Sequence, residues 1–317
     1  MKPAILQLNP ILIPIVNEKL SSLYIVHRYY ELADKDKFVA EQGHLIQGVI
    51  SGGHTGISNE LMQKLPNLKV VAINGVGTDA VDLSYARQRG IHVTATLGAL
   101  TEDVADLAIG LLLAICRGIC SGDRFVRNGQ WAKFPSPTAL PLSRRFSGMK
   151  VGIVGMGRVG RAVASRATAF GCSITYTDLM KFEDLAYQFT DDLVDLATQS
   201  DALILCAAAD KVEGIVDANV LRALGQDGFL INIARGKLVN EKDLVEALNK
   251  GLIAGAGLDV FVDEPNVPSE FFTNDRVVLQ AHRASATWET RTAMGELVLE
   301  SLSQALCGQI PRMSLTS

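Results

Sequence analysis

The chain has 317 residues, 48% of them hydrophobic and 20% charged, with a formal net charge of −4. That length predicts two domains with cores large enough to need no disulfide staples. The charge balance gives no footprint for nucleic acid or an anionic membrane, and five scattered cysteines read as reduced thiols of a cytoplasmic protein.

The N-terminus shows no secretion-signal series, and the longest apolar run, 107–116, is shorter than a bilayer span. Short apolar runs at 4–8, 48–50, 70–73 and 92–94 predict strands, punctuated by Gly52-Gly53, Gly75-Val76-Gly77 and Gly90. Strands alternating with polar helical stretches imply a parallel α/β sheet. Residues 101–127 read as one long helix, with Thr101 as N-cap and Glu102 and Asp103 in its first turn. Asn128-Gly129 ends it, and the Pro-rich segment 134–141 reads as a loop. A second α/β series follows, with strands expected at 150–154, 173–177, 202–206, 228–232, 256–258 and 277–279. The tail 288–306 reads as a helix whose domain the pattern leaves open.

The first of these later strands runs into Gly155-Met156-Gly157-Arg158-Val159-Gly160, and a helical stretch, 161–170, follows. G-x-G-x-x-G between strand and helix is the context a dinucleotide fingerprint needs. Gly155 permits the tight turn, Gly157 lets backbone approach a pyrophosphate, and Gly160 allows close packing under the helix N-terminus. Asp178 closes the next strand, 18 residues past Gly160, where a ribose-binding acid is expected. A carboxylate there repels a 2′-phosphate, favouring NAD(H) over NADP(H). Lys181 nearby weakens that inference and keeps NADP(H) open, and Asp178 also reads as a surface acid.

Three later segments share one logic. Arg235 follows one buried strand in Ile233-Ala234-Arg235-Gly236, Glu264 follows Gly257-Leu258-Asp259-Val260-Phe261 in Asp263-Glu264-Pro265, and His282 ends a third. In doubly wound sheets, chemistry lies beyond the carboxyl ends of strands. Hydride transfer to a keto acid needs a cation for the carboxylate and carbonyl, a general acid for the developing alkoxide, and a group that keeps that acid protonated. Arginine, histidine and a carboxylate suit those tasks in that order. The five histidines show no metal-ligand spacing, so no metal is expected.

At these residues, and at Thr101-Glu102-Asp103-Val104-Ala105-Asp106 and Glu289-Thr290-Arg291, nearly the whole chain resembles the D-isomer-specific 2-hydroxyacid dehydrogenase family. The nearest branch is that of the glyoxylate, hydroxypyruvate and hydroxyphenylpyruvate reductases. The resemblance implies two flavodoxin- and Rossmann-like α/β domains with doubly wound parallel sheets around a cleft. Residues 1–98 with 286–317 would form the substrate domain, and 99–285 the dinucleotide domain. It implies that Arg235 binds the 2-keto or 2-hydroxy acid, that His282 is the acid/base with Glu264 as partner, and that Asp259 takes the nicotinamide carboxamide. Thr101 and Ala234 join the glycine loop around the cofactor.

Val76 and Gly77 would give backbone N–H groups to the substrate carboxylate. Read without the family, this segment is only a Gly-rich turn that exposes N–H groups as an anion nest. The family also implies a homodimer, with an aromatic, Phe134 or Trp131, reaching the partner's site; intrachain packing explains either equally.

Three features depart from the pattern. Arg283-Ala284-Ser285 stands where Ile-Gly-Ser is expected, putting a cation beside the acid/base and the substrate. Asp178-Leu179 replaces the Ser-Arg of NADPH-using reductases. Ser51-Gly52-Gly53-His54-Thr55 is unusual, and His54 reads either as a substrate-pocket residue or as a plain loop histidine. Other readings of the same fold are a sugar-acid or phosphoglycerate dehydrogenase, although no extended regulatory domain supports the latter, and an NAD(H)-binding interaction protein like the transcriptional corepressors.

Overall fold

The computed structural model describes residues 2–136, 138–208 and 213–316, so Pro137 of the Pro-rich loop lies outside the described residues. The chain divides into two compact units, residues 1–100 with 286–317, and residues 101–285.

The first unit runs β1 (Ala4–Gln7), α1 (Pro14–Leu23), β2 (Ile25–Arg28), α2 (Lys35–Gln42), β3 (Ile46–Ser51), α3 (Asn59–Gln63), β4 (Val70–Ile73), α4 (Leu83–Gln88) and β5 (His92–Ala95). The five strands form one parallel sheet in the order β2-β1-β3-β4-β5. β1 and β4 are buried along their whole length, which is why they read as unbroken apolar runs rather than alternating ones. β2 carries His27 and Arg28 in a half-exposed edge, and that polar pattern hid it from the sequence.

The second unit runs α5 (Thr101–Cys116), α6 (Ile119–Arg127), α7 (Gln130–Lys133), β6 (Lys150–Val154), α8 (Arg158–Ala169), β7 (Ser173–Thr177), β8 (Gln188–Phe189), α9 (Leu193–Thr198), β9 (Ala202–Leu205), α10 (Ala218–Leu224), β10 (Phe229–Asn232), α11 (Glu241–Lys250), β11 (Gly255–Leu258) and β12 (Val277–Leu279). The chain then returns to the first unit as α12 (Trp288–Leu306). The second sheet has seven parallel strands in the order β12-β11-β10-β9-β6-β7-β8. The order reverses beside β6, so a switch point opens at its carboxyl end, where ligands bind in such sheets.

α12 settles the question that the sequence left open. Val298, Leu299, Leu302 and Ala305 pack on Ile5, Ile50, Val70 and Ala72 of the first sheet. Gly48 leaves room for it, since a Cβ there would stand 2.9 Å from Leu302 Cδ2. Burying Leu302 completely stabilises this contact by roughly 1.5–3 kcal/mol. On the opposite face Val49, Val71 and Ile73 meet Met62 and Leu65. In the second unit, Leu203, Leu205, Leu230 and Leu258 pack with Leu221, Leu244 and Leu248.

Two expectations need correction. Residues 101–127 are not one helix: the path bends by 60° between α5 and α6, where Gly118 takes φ +60°. Glycine alone enters that left-handed region at no steric cost, so Gly118 sets the break. Thr101 is the first residue inside α5 rather than the cap before it. No single helix among the described residues is long and apolar enough to cross a membrane. Of the two cysteines on either side of this bend, Cys116 is buried and Cys120 only half-buried.

Candidate active site

The glycine loop joins β6 to α8. Gly155 has φ +92°, and a Cβ there would lie 2.6 Å from the Ala207 backbone. Gly160 has its own close approach, since a Cβ would stand 2.0 Å from the Gly155 carbonyl oxygen. Gly157 precedes α8, and nothing lies within 4 Å of where its Cβ would be. That open approach ahead of a helix of 12 residues fits a pyrophosphate, which the helix N-terminus attracts. Arg158 and Val159 open α8.

Asp178 directly follows the neighbouring strand, β7. Its Oδ2 accepts the Met156 N–H at 2.6 Å and its Oδ1 accepts the Leu179 N–H at 2.7 Å. The acid therefore braces the glycine loop, a role the sequence spacing did not reveal. Arg161 pairs with Asp184 beyond it and lies over the Phe182 ring. Below, Arg166 of α8 bonds Glu102 at 2.7 Å and Asp106 at 2.5 Å, tying α8 to α5.

The ends of β10, β11 and β12 gather the remaining groups. Asn232, almost fully buried, accepts the Ala234 N–H at 3.1 Å and donates to the Arg235 carbonyl at 2.9 Å. This small loop turns Arg235 off the strand end, and Arg235 Nη1 donates to the Ala234 carbonyl at 2.8 Å. Gly236 must be glycine, because a Cβ would overlap the Phe261 carbonyl carbon at 1.9 Å. The loop after β10 thus seats against the loop after β11.

That second loop carries Glu264. Its Oε1 accepts the Phe261 N–H at 3.0 Å, and its Oε2 meets His282 Nδ1 at 2.9 Å. Both side chains are partly shielded, at 22% and 33% exposed. His282 has φ +50°, alone among the non-glycine residues described. Its N–H donates to the Asp259 carbonyl at 2.8 Å.

Asp259 is fully buried, and its two carboxylate oxygens accept the Arg283 N–H at 2.7 Å and the Ala284 N–H at 3.0 Å. Burial pushes its carboxyl up, while those two N–H groups oppose the shift. One acid therefore clamps the backbone at the histidine and at the two residues after it, holding it in a conformation that histidine rarely adopts alone. Arg283 projects from the same turn and is exposed. Glu241 supports the neighbouring loop, accepting the Val262 N–H at 2.8 Å. Burial raises its carboxyl too.

Sequence reasoning missed Asn232, Glu241 and the clamp made by Asp259. An asparagine closing a buried strand just before Ile233-Ala234-Arg235-Gly236 was the available signal. In the first unit, Val76, Gly77 and His54 all lie in segments beyond strand ends, after β4 and β3. Chemically, the second unit offers a guanidinium and an imidazole backed by a carboxylate. Such a set can bind a carboxylate and hand a proton to an oxygen.

Comparison with known proteins shows the family. A family model for the D-isomer specific 2-hydroxyacid dehydrogenase, NAD binding domain, matches residues 109–284. A 2-ketogluconate reductase of Gluconobacter oxydans is 44% identical over 302 residues, 95% of this chain and 94% of that one. A glyoxylate/hydroxypyruvate reductase A of Arabidopsis thaliana is 41% identical over 295 residues, 93% of each chain. Among solved structures, an NADPH-dependent glyoxylate/hydroxypyruvate reductase of Sinorhizobium meliloti superposes with a TM-score of 0.90 at 40% identity, covering 99% of this chain and 98% of that one.

Proposed function

This chain belongs to the D-isomer-specific 2-hydroxyacid dehydrogenase family and is an NAD(P)-dependent reductase of 2-keto acids; we propose that Arg235, Glu264 and His282 carry its reaction. The observation that supports this most directly is the 2.9 Å contact between His282 Nδ1 and Glu264 Oε2. With Nδ1 engaged there, Nε2 is the ring nitrogen assigned to the substrate oxygen.

The reduced nicotinamide, when bound, supplies the hydride. Arg235 holds the substrate carboxylate and draws electron density toward the keto oxygen. As the carbonyl carbon gains the hydride, His282 gives its Nε2 proton to the oxygen, and the product leaves as the 2-hydroxy acid. Glu264 keeps the ring oriented through its contact with Nδ1. Gly155, Met156, Gly157, Arg158, Val159 and Gly160 are the proposed phosphate loop, with Thr101, Ala234 and Asp259 at the cofactor and Asp178 at the ribose. Val76 and Gly77 are the proposed backbone donors to the substrate carboxylate, and His54 and Arg283 the residues that meet its tail.

For the substrate, the reading is a small keto acid such as glyoxylate or hydroxypyruvate. A sugar-acid reading stands beside it, favoured by the 44% identity to a 2-ketogluconate reductase and by the exposed cation Arg283. We further propose NADH as the better cofactor, because Asp178 opposes a 2′-phosphate, although the solved relative at 40% identity is NADPH-dependent. A cytoplasmic homodimer is also proposed. Its support is five free cysteines and the exposure of Trp131 and Phe134, 61% and 59%, on and beside α7.

The test is a panel of glyoxylate, hydroxypyruvate, hydroxyphenylpyruvate and 2-ketogluconate, each with NADH and NADPH. Turnover of one keto acid at least, with kcat/KM higher for NADH, is expected. No turnover of any defeats the catalytic reading, and a clear preference for NADPH defeats only the reading of Asp178. The variant Asp178→Asn, which keeps an acceptor for the Met156 N–H, is expected to move the NADH to NADPH ratio by about tenfold toward NADPH.

A further inference from the structure

In the first unit the segments after β1, β3, β4 and β5 are tied in series. Asn9 stands two residues past β1. Its Oδ1 accepts the Gly52 N–H at 2.9 Å, and its Nδ2 donates to Thr55 Oγ1 at 2.8 Å. A single amide therefore grips the loop on both sides of His54. The loop also closes on itself. Ser51 Oγ gives its one proton to the Gly56 carbonyl at 2.5 Å, and the Gly56 N–H donates to the Gly52 carbonyl at 2.9 Å. Three of its residues, Gly52, Gly53 and Gly56, bring no side chain to restrain it, so its backbone freedom is large unless polar bonds remove it.

This loop is seated on the next. A Cβ at Gly53 would stand 2.8 Å from the Gly77 carbonyl oxygen. Gly56, at φ +51°, leaves even less room, since its Cβ would overlap the Ala80 carbonyl oxygen at 1.9 Å. The Asn74 N–H donates to the Ser51 carbonyl at 2.7 Å. On the far side, the Gly75 carbonyl accepts both the N–H and the hydroxyl of Thr96, at 2.8 and 3.1 Å. The segment holding Val76 and Gly77 thus lies between Thr96 and the loop that Asn9 grips.

We propose that Asn9 is a positioning residue for substrate binding: it fixes the loop 51–56, and through the Gly53–Gly77 contact it sets the backbone N–H groups that take the carboxylate of a 2-keto acid. The proposal rests on the reading of Val76 and Gly77 as those donors. Asn9 acts on the substrate only through the two loops. A hold on the carboxylate is made equally in the ground and transition states, so its loss shows in KM rather than in kcat.

The experiment is steady-state reduction of hydroxypyruvate or, if the wild type prefers it, glyoxylate, together with NADH titration by fluorescence and a thermal melt. Asn9→Ala is expected to raise KM about tenfold while kcat stays within about threefold and NADH affinity stands still. Thr55→Val removes only the Nδ2 partner and is expected to raise KM by less. The double variant is expected to be no worse than Asn9→Ala alone, because both changes break the same bond. Should Asn9→Ala fail to fold, the Thr55→Val result decides. With normal wild-type turnover, an unmoved KM or a fall confined to kcat overturns the inference alone. A wild type that reduces no keto acid overturns the functional reading and the inference with it.

Discussion

The two sheets share a parallel, doubly wound plan, yet their carboxyl ends are furnished differently. In the second unit, the turns beyond β10, β11 and β12 carry Arg235, Glu264 and His282, and the side chains of Asn232, Glu264 and Asp259 lock these turns in that order. In the first unit, the turns beyond β3 and β4 carry five glycines between Gly52 and Gly77, and the polar atoms on offer are mostly backbone. In the proposed reading, one end serves proton and charge chemistry and the other cradles an anion. Side-chain chemistry leaves residue types that can be read directly, while a backbone cradle leaves only glycines.

The sharpest way to break this comparison is His282→Ala. It removes the proposed proton donor and spares the glycine loop, so kcat is expected to fall by about 10²–10⁴-fold. NADH binding by fluorescence stays where it was. Retained turnover would show that the second unit's side chains are not the chemistry.

Next comes Gly160→Ala, which tests a backbone device inside the second unit. Its methyl would meet the Gly155 carbonyl at 2.0 Å. Overpacking of this kind costs about 1–3 kcal/mol, and NADH affinity is expected to drop by about ten- to a hundredfold. Unchanged affinity in a folded variant would detach the loop from the cofactor.

A smaller effect is expected at Gly53→Ala in the first unit, where the methyl would stand 2.8 Å from the Gly77 carbonyl oxygen, a milder clash than the one at Gly160. KM for the keto acid should rise about threefold with kcat held, since uniform binding is what the proposed cradle would supply. A loss of kcat instead would mean that the first unit shares in the chemistry.

Smallest is the effect at Cys206, the inert member among the strand ends. Burial pushes its thiol up from 9.0 to about 12. The folded protein keeps it neutral, so the unfolded chain releases its proton first, and this residue's contribution to stability is present below pH 9 and lost as pH rises toward about 12. At pH 8, iodoacetamide should label exposed Cys307 well ahead of half-buried Cys206, whose thiol stays protonated. Rapid labelling of native Cys206 would contradict the assigned environment.

Much of this arrangement was legible in the sequence where residue type and period coincide. β4, β6, β7, β12 and α12 fall at the residues expected, because buried runs and a long amphipathic tail leave little ambiguity. The family, the fold class and the use of a nicotinamide cofactor were legible for the same reason. What was hidden depends on contacts between distant segments. β2 owes its place to pairing with β1 rather than to its own composition. The break at Gly118 needs knowledge of a dihedral. Asp259 stood out as an acid after a strand, but its grip on Arg283 and Ala284, 24 and 25 residues on, is a tertiary fact.

The left-handed backbone of His282 has one further consequence. A non-glycine residue held there stores on the order of 1–3 kcal/mol of strain. Whatever replaces the imidazole also changes that debt, so catalysis and stability are set against each other at one position. Asparagine tolerates the left-handed region better than most residues. His282→Asn is therefore expected to be inactive while melting at or above the wild-type temperature. A dead enzyme of undiminished stability is the signature of a residue kept for its reaction against the preference of its own backbone.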